Sequence, residues 1–416
     1  MAEVSGAWAR SGAMRLTGRA DGPALPAVGA PAETVAARLA ELRAHLPGPL
    51  ERPGDAEHPA RREHPARREH PARRGLPGVG LLAERAALTG NRRNGAVSLG
   101  GACRILPARD GWTVISLPRD SDLELLPALT ERAVEDPWPD LARWLERTPA
   151  ADAVARAYLL GLAASTVPDS ARPVRRPPVL RTDGGPRERT RPPRVLDLSS
   201  LWAGPLCAHL LGLLGADVIK VESLGRPDGA RYGDPRFFDL LNAGHRSVAL
   251  DLRSNHGHAQ LAGLVESADV VIEGSRPRAL RQMGIVAERA VEAGVVWVSI
   301  TARGRAGKDG QRIGFGDDVA AGAGLVARDE QGPVFAADAL ADPLTGVTAA
   351  AAAAAALDRP QGALLDVSMY DTAVAAANAQ PQVEPDPPIA DPTARQAAGH
   401  AVALGADTTS VLHDGW

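Results

Sequence analysis

From Arg194 onward the apolar positions fall into short blocks of two kinds. Runs rich in Val, Ile and Leu read as strands: Val195–Leu198, Asp217–Glu222 (DVIKVE), Ser247–Leu252 (SVALDL), Asp269–Glu273, Val295–Thr301 (VVWVSIT) and Ala363–Met369. Between them, apolar residues at helical spacing predict helices at Leu206–Leu214, stopped by Gly215, and from about Asn255 to Glu266. Shorter helical segments follow at Arg278–Met283 and Ala287–Ala293, and Ser199–Pro205 (SSLWAGP) reads as the loop after the first strand. Alternating strands and helices with apolar strands predict an α/β fold. The expected form is a Rossmann-like, doubly wound, largely parallel sheet with a smaller α+β domain.

Upstream the pattern is broken. Residues 1–45 hold a glycine-rich turn segment and a probable helix at Ala32–Leu46. Residues 46–78 carry EHPARR three times in succession from Glu57 to Arg74, a low-complexity linker with proline every sixth residue. His58, His64 and His70 in that repeat match no metal-ligand spacing, so no metal is expected. Residues 79–166 read as the small α+β domain, with two strands in ACRILPARDGWTVISL turning at Asp110-Gly111. Residues 167–193 are a linker rich in Pro and Arg, 194–376 the Rossmann-like domain, and 377–416 a Pro-rich linker and C-terminal tail.

One stretch of the large domain stands out. In Ala336–Leu357 the pair Asp342-Pro343 directly precedes an alanine-rich helix. Asp is a good helix cap and Pro is comfortable at the first helical position. Unpaired N–H groups and the helix dipole are therefore expected to favour an ionised Asp342, and a positioned carboxylate can act as a nucleophile. The bland alternative is a cap and nothing more. Asp317 and Asp318 read first as caps and second as lining for a site, and Asp338 suits a strand-to-loop position.

Composition narrows the field. The chain has 416 residues, 44 % of them hydrophobic and 23 % charged, with a formal net charge of −3. These values suit a large globular core and argue against nucleic acid; the 3 % aromatic content argues against base-stacking platforms. Two cysteines, Cys103 and Cys207, fit a reducing, cytoplasmic setting without disulfides or zinc. No apolar run reaches membrane-spanning length, and the opening MAEVSGAWARSGAMRL shows no signal-peptide pattern.

The motifs VLDLSSLWAGPLCAHLLGLLGADVIKVES, GRPDGAR, LNAGHRSVALDLRS, ADVVIEGSRPRALRQMGI and VSITARGRAG follow one another in order. Together they resemble the opening half of the family III CoA-transferases, the family of formyl-CoA transferase, carnitine CoA-transferase and α-methylacyl-CoA racemase. The resemblance is collinear from about 194 to 376. It implies a Rossmann-like large domain with a smaller domain, a homodimer of interlocked chains, coenzyme A as co-substrate with no permanently bound cofactor, and a catalytic Asp opening a helix in a G-D-x-x-x-G segment. ALADPLTG has that form, with Ala341 for the preceding glycine, so the resemblance makes Asp342 the catalytic residue. It also makes Ser200, Leu201, Trp202, Ala203, Leu250 and Arg253 the CoA-binding positions, and Gly100 and Gly101 in SLGGA the candidate oxyanion loop. A tight turn is an equal reading of those two glycines.

The remaining segments resemble the family out of order. GNRRNGAVSLGGACRILPARDGW is similar to what normally follows the catalytic half. SGAMRLTGRADGPAL is similar to the segment just upstream of the catalytic Asp, with Ala32 where the fuller copy has Asp342. A fused or rearranged chain is inferred, with 1–45 a partial copy of the pre-catalytic segment. Departures from the family pattern are Ser200 for a His, Trp202 for a Gln, Gln282 for a CoA-contacting Arg and Gly274-Ser275 for an Asn-Phe pair. The RIGFGDDVAAGAG window lacks the racemase His at Phe315, Gly316 or nearby, which disfavours a two-base racemase. The expected activity is CoA transfer between an acyl-CoA and a small carboxylic acid through an aspartyl mixed anhydride. The alternatives are a non-catalytic CoA-binding or scaffold paralogue and, with no GxGxxG in the first turn, a less favoured nicotinamide oxidoreductase.

Overall fold

The computed structural model describes residues 3–45, 75–189, 192–275 and 277–416. The EHPARR repeat lies outside the described residues. In chain order the strands are β1 (Glu3–Ser5), β2 (Cys103–Ala108), β3 (Gly111–Ser116), β4 (Ala163–Val167), β5 (Val179–Pro186), β6 (Arg194–Asp197) and β7 (Asp217–Ser223). They continue with β8 (Arg246–Leu250), β9 (Val270–Glu273), β10 (Val296–Thr301), β11 (Val326–Asp329), β12 (Gly332–Phe335), β13 (Gln361–Ser368) and β14 (Val383–Pro385).

The central sheet has seven strands in the order β5-β13-β10-β9-β6-β7-β8. Every pairing in it is parallel except β5 with β13. Neighbouring residues feed opposite faces, as the pleat requires. Val195, Val270 and Val296 face one core with the helices Ala203–Leu213 and Ala341–Leu357. Leu196, Val271 and Trp297 face the other, beneath the helix Asn255–Ser267. Both faces are covered, so the strands read as apolar runs rather than alternating ones.

The sheet order reverses at β6, which pairs with β7 on one side and β9 on the other, Leu196 facing Ile219 and Val271. The loop after β6 therefore opens at a topological switch point, where doubly wound sheets leave a crevice for ligands. The following helix begins at Ala203 rather than Leu206, so AGP is its first turn and not loop. The Ala341–Leu357 helix is buried nearly all round, and its small side chains bring it close to the Ala203 helix. A Cβ on Gly346 would stand 2.8 Å from the Ala203 carbonyl oxygen.

The small unit is a three-stranded antiparallel sheet, β2-β3-β4, turning between β2 and β3 at the expected Asp110-Gly111. It packs on the large domain where Cys103, Ile105, Val114 and Val167 meet Ala321, Val326 and Phe335. The stretch 167–193, expected to be linker throughout, contributes β5 as an edge strand of the main sheet. Its exposed, polar composition suits an edge, which needs no apolar face on both sides.

Residues 3–45 do not stand apart. Trp8, Leu39 and Leu42 are part of the main core, and the helix Pro31–Arg43 packs on the alanine helix. Ala32 takes the second position of its helix, the position Asp342 has in the later one. β1 pairs antiparallel with β14, tying the N-terminal segment to residues 383–385. Among the described residues no helix is long and apolar enough to cross a membrane.

Candidate active site

Asp342 is the second residue of the Ala341–Leu357 helix and half-buried. Its carboxylate accepts the backbone N–H of Gly316 and that of Ala203. Each donor is the first residue of a further helix, Gly316–Ala323 and Ala203–Leu213. Three helix starts thus converge on one side chain, each with unpaired N–H groups and the positive end of its dipole. Close approach is a condition of this arrangement. A Cβ at Gly316 would overlap both Asp342 Oδ2 and the Ala339 carbonyl oxygen, and one at Gly204 would overlap the Ser199 side chain.

The carboxylate is not alone. Burial pushes the Asp342 carboxyl up to about 6; Arg85 and the two N–H donors pull against that, and Asp338 adds to it. The helix starts favour the anion, as expected, but desolvation and like charge outweigh them in the direction of the shift. Near neutral pH the group is still mostly anionic. Asp338 is fully buried and takes a two-pronged ion pair from Arg85, Nε to Oδ2 at 2.8 Å and Nη2 to Oδ1 at 2.5 Å. Asp317 accepts the Ala339 N–H at 3.0 Å and is pushed up to about 7, by burial first and then Asp338. Asp318 caps its own helix by accepting the Phe315 N–H at 2.7 Å, and burial pushes it too up to about 7. Of this pair, capping describes Asp318, whereas Asp317 braces the turn that carries Asp342.

Backbone strain gathers at the same place. Ala337 and Ala339, on either side of Asp338, have φ of 55° and 45°, and Leu201 has φ of 71°. Non-glycine residues in that region cost on the order of 1–3 kcal/mol each and persist only where their surroundings hold them. The Ala337 N–H donates to Thr17 Oγ1 at 2.9 Å, so the N-terminal segment supplies one of those holds. At Leu201 the hold is a buried charge cluster. The Leu201 N–H donates to Asp228 Oδ1 at 2.9 Å, and Lys220 Nζ lies 2.9 Å from Asp228 Oδ2. Lys220 also donates to the Ser199 carbonyl at 3.0 Å and lies 3.5 Å from Asp197.

The expected CoA-binding positions separate into two groups. Ser200 and Leu201 are exposed at the switch point, Leu201 by 43 %, and Ala203 supplies the N–H on Asp342. Arg253 is exposed, its guanidinium beside Gly225 in the loop after β7 and 3.5 Å from Asp251. Trp202 and Leu250 are not surface groups. The Trp202 ring is buried, edge-on to Phe237 with centroids 5.0 Å apart, and Arg85 covers it at 4.6 Å. Leu250 lies in the second core. Both side chains are taken up in packing, Trp202 beside the Ala203 helix and Leu250 in the core on the opposite face of the sheet. Gly100 and Gly101 form an exposed turn before β2, where the Gly101 N–H donates to the Ser98 carbonyl at 2.9 Å. That donor is spent within the turn, in keeping with the tight-turn reading.

Arg85, Gly316, Lys220 and Asp228 were not singled out from the sequence. Arg85 sits in GLLAERAALTG, 257 positions ahead of Asp342, and no local signal links the two. Lys220 was legible only as a polar residue inside an apolar strand, DVIKVE, which is itself a hint of a buried partner.

Residues 193–404 match the model of CoA-transferase family III. A succinyl-CoA–D-citramalate CoA-transferase of Chloroflexus aurantiacus is 31 % identical over 207 residues, covering 44 % of this chain and 52 % of its own. A probable fatty acyl-CoA transferase of Mycobacterium tuberculosis is 34 % identical over 228 residues, covering 47 % and 57 %. The solved structure of a CAIB/BAIF family protein from Brucella suis is 30 % identical, with a TM-score of 0.41, covering 44 % of this chain and 53 % of that one. The chain spans about half the length of the curated relatives it matches. With the family model extending over half of its residues, including the switch-point loop and the Asp342 helix, the chain belongs to CoA-transferase family III.

Proposed function

We propose that this chain moves CoA from an acyl-CoA to a carboxylic acid, with Asp342 as the covalent nucleophile. An Asp342 oxygen attacks the thioester carbonyl, the C–S bond breaks, and CoA leaves as the thiolate. The product on the enzyme is a mixed anhydride. The thiolate then attacks the Asp342 carbonyl, releasing the donor's carboxylate and leaving an aspartyl-CoA thioester. The acceptor carboxylate attacks that thioester, expelling thiolate and forming a second mixed anhydride. Attack of thiolate on the acceptor's carbonyl gives the new acyl-CoA and restores Asp342. Splitting one exchange between two poor partners into four short steps is the logic of covalent catalysis.

The observation that carries this reading is the pair of N–H donors, Gly316 and Ala203, aimed at the Asp342 carboxylate. They orient the nucleophile before attack, and fixed donors of this kind stabilise the negative charge that develops on oxygen. The exposed residues Ser200 and Leu201 at the switch point and the exposed Arg253 guanidinium supply contacts for the nucleotide end of CoA. Relatives are named for succinyl-CoA with D-citramalate, for succinate with glutarate and for formyl-CoA with oxalate. Small acids are therefore the first acceptors to try, with the lost Arg and Asn-Phe positions arguing against formate.

The test is exchange of labelled succinate and other small acids into acyl-CoA, with hydroxylamine trapping of the acyl-enzyme, for wild type, Asp342→Asn and Asp342→Ala. Loss of both exchange and hydroxamate in the variants supports the mechanism. Exchange that survives in Asp342→Ala removes Asp342 from it. CoA binding without exchange for any donor turns the assignment to a binding paralogue.

A further inference from the structure

Arg85 lies outside the part of the chain that matches the family model, on the short helix Glu84–Thr89. It nevertheless touches both walls of the candidate site. Its two prongs hold Asp338, in the turn that leads into Asp342. Its flat face covers Trp202, the residue just ahead of the Ala203 helix, at 4.6 Å, with Phe237 at 6.0 Å. Asp342 bridges the same two walls through the Ala203 N–H.

The start of the helix that carries Arg85 is itself anchored. Glu84, the neighbouring residue and buried, is gripped by Arg395 at 2.5 and 3.0 Å, and Arg395 also contacts His209 Nε2 at 3.0 Å. The charges around Asp342 are unbalanced. Asp338 faces it from its own loop, Asp317 and Asp318 from the Gly316 helix, and Arg85 from the 84–89 helix, while Arg303 acts on Asp318 from beyond. The first turn of the Ala203 helix brings N–H groups and no acidic or basic side chain.

We propose that Arg85 is a positioning residue for CoA transfer: it clamps the Asp338 turn to the start of the Ala203 helix and so holds Asp342 between them. The inference rests on the reading of Asp342 as nucleophile. Arginine suits the task because its planar fork serves a carboxylate with its edge and an aromatic ring with its face at once, which lysine does not. Since Arg85 precedes the matched span and Asp338 lies within it, the clamp also joins the displaced N-terminal part to the family core.

The experiment compares wild type with Arg85→Gln, Arg85→Lys and Asp338→Asn in two readouts. One is the pH profile of kcat/KM for acyl-CoA and small-acid exchange. The other is the carboxyl carbon titration of Asp342 by NMR, assigned by the signal missing in Asp342→Asn. An opposite charge at close range moves a carboxyl by ~1–3 pH units, so Arg85→Gln is expected to raise the acid limb from about 6 by at least ~1 unit. Activity at pH 7 then falls by ~2-fold for a rise of one unit, ~10-fold for two and ~100-fold for three, and returns above the raised limb. Asp338→Asn removes a repelling charge and moves the limb the opposite way. Arg85→Lys keeps the charge and holds the limb near wild type, with a lower kcat from the lost fork.

Residues that merely brace the fold would lower activity in all variants without moving the limb in opposite directions. An unmoved Asp342 titration in folded Arg85→Gln overturns the proposal, as does an unmoved or raised one in Asp338→Asn. If Arg85→Gln does not fold, Asp338→Asn decides by the same criterion, and a limb raised in folded Arg85→Lys, which keeps the charge, overturns the proposal. The NMR shifts stand whether or not exchange is detected, so failure of the transferase reading and failure of the clamp are told apart.

Discussion

Replacing Gly316 with alanine puts a methyl group where the structure has no room. The new Cβ would overlap Asp342 Oδ2 and the Ala339 carbonyl oxygen, and stand 2.8 Å from the Ala339 carbonyl carbon. One obstacle is the Asp342 carboxylate, the proposed nucleophile, and the other is backbone in a strained turn, so neither swings aside cheaply. The start of the Gly316 helix must then retreat, and its N–H leaves the carboxylate. A hydrogen bond to a charged group contributes about 1.5–3 kcal/mol. At 1.36 kcal/mol per factor of ten, its loss from the transition state lowers kcat/KM by about 10- to 150-fold. The acid limb of the pH profile rises as well, because a donor that favours the anion is gone. Overpacking costs about 1–3 kcal/mol of stability, partly offset by alanine's better helix propensity. The assay is acyl-CoA exchange beside urea unfolding, with Gly263→Ala as control. Gly263 lies exposed in the Asn255–Ser267 helix with nothing near its Cβ position, so that variant should gain about 0.5–1 kcal/mol and keep its activity. A folded Gly316→Ala enzyme within twofold of wild type would refute the reasoning about converging helix starts.

Other outcomes follow from the same geometry. Lys220→Met strands Asp197 and Asp228 in the core without their cation and should cost about 3–5 kcal/mol in urea unfolding; an unchanged midpoint would show the cluster to be solvated. His245 is buried with neither ring nitrogen hydrogen bonded, and burial, aided by Lys220, pushes it down to about 3. Its folded value lies below the unfolded one, so its contribution is intact above about 6.5 and is lost as pH falls toward 3. The stability advantage of His245→Leu over wild type should therefore widen by about 2 kcal/mol between pH 7 and pH 5; a constant difference would contradict this. Arg253→Ala, at an exposed position, should raise KM for acyl-CoA while leaving kcat and, within about 0.5 kcal/mol, stability unchanged. Equal KM values would remove Arg253 from the nucleotide contacts.

What the sequence determined by itself is local. Apolar runs set the parallel strands, Gly215 marked a helix end, Asp110-Gly111 made a turn, and Asp342-Pro343 stood at a helix start. Each depends on a few neighbouring residues, through propensity, capping or pleat, so a short window carries the information. The order of motifs added the family and, through it, the choice of Asp342. What only the tertiary structure decided is who meets whom. It brought Arg85, Ala203 and Gly316 to one carboxylate, sent Trp202 and Leu250 inward, and found an edge strand in a stretch that reads as linker. It also decided the direction of the shift at Asp342, because a helix start acts over one turn whereas burial and neighbouring charge are set by the whole fold. The charge state of that carboxyl depends on its own loop and on three distant segments, around Arg85, Ala203 and Gly316, and no single stretch of sequence contains them all.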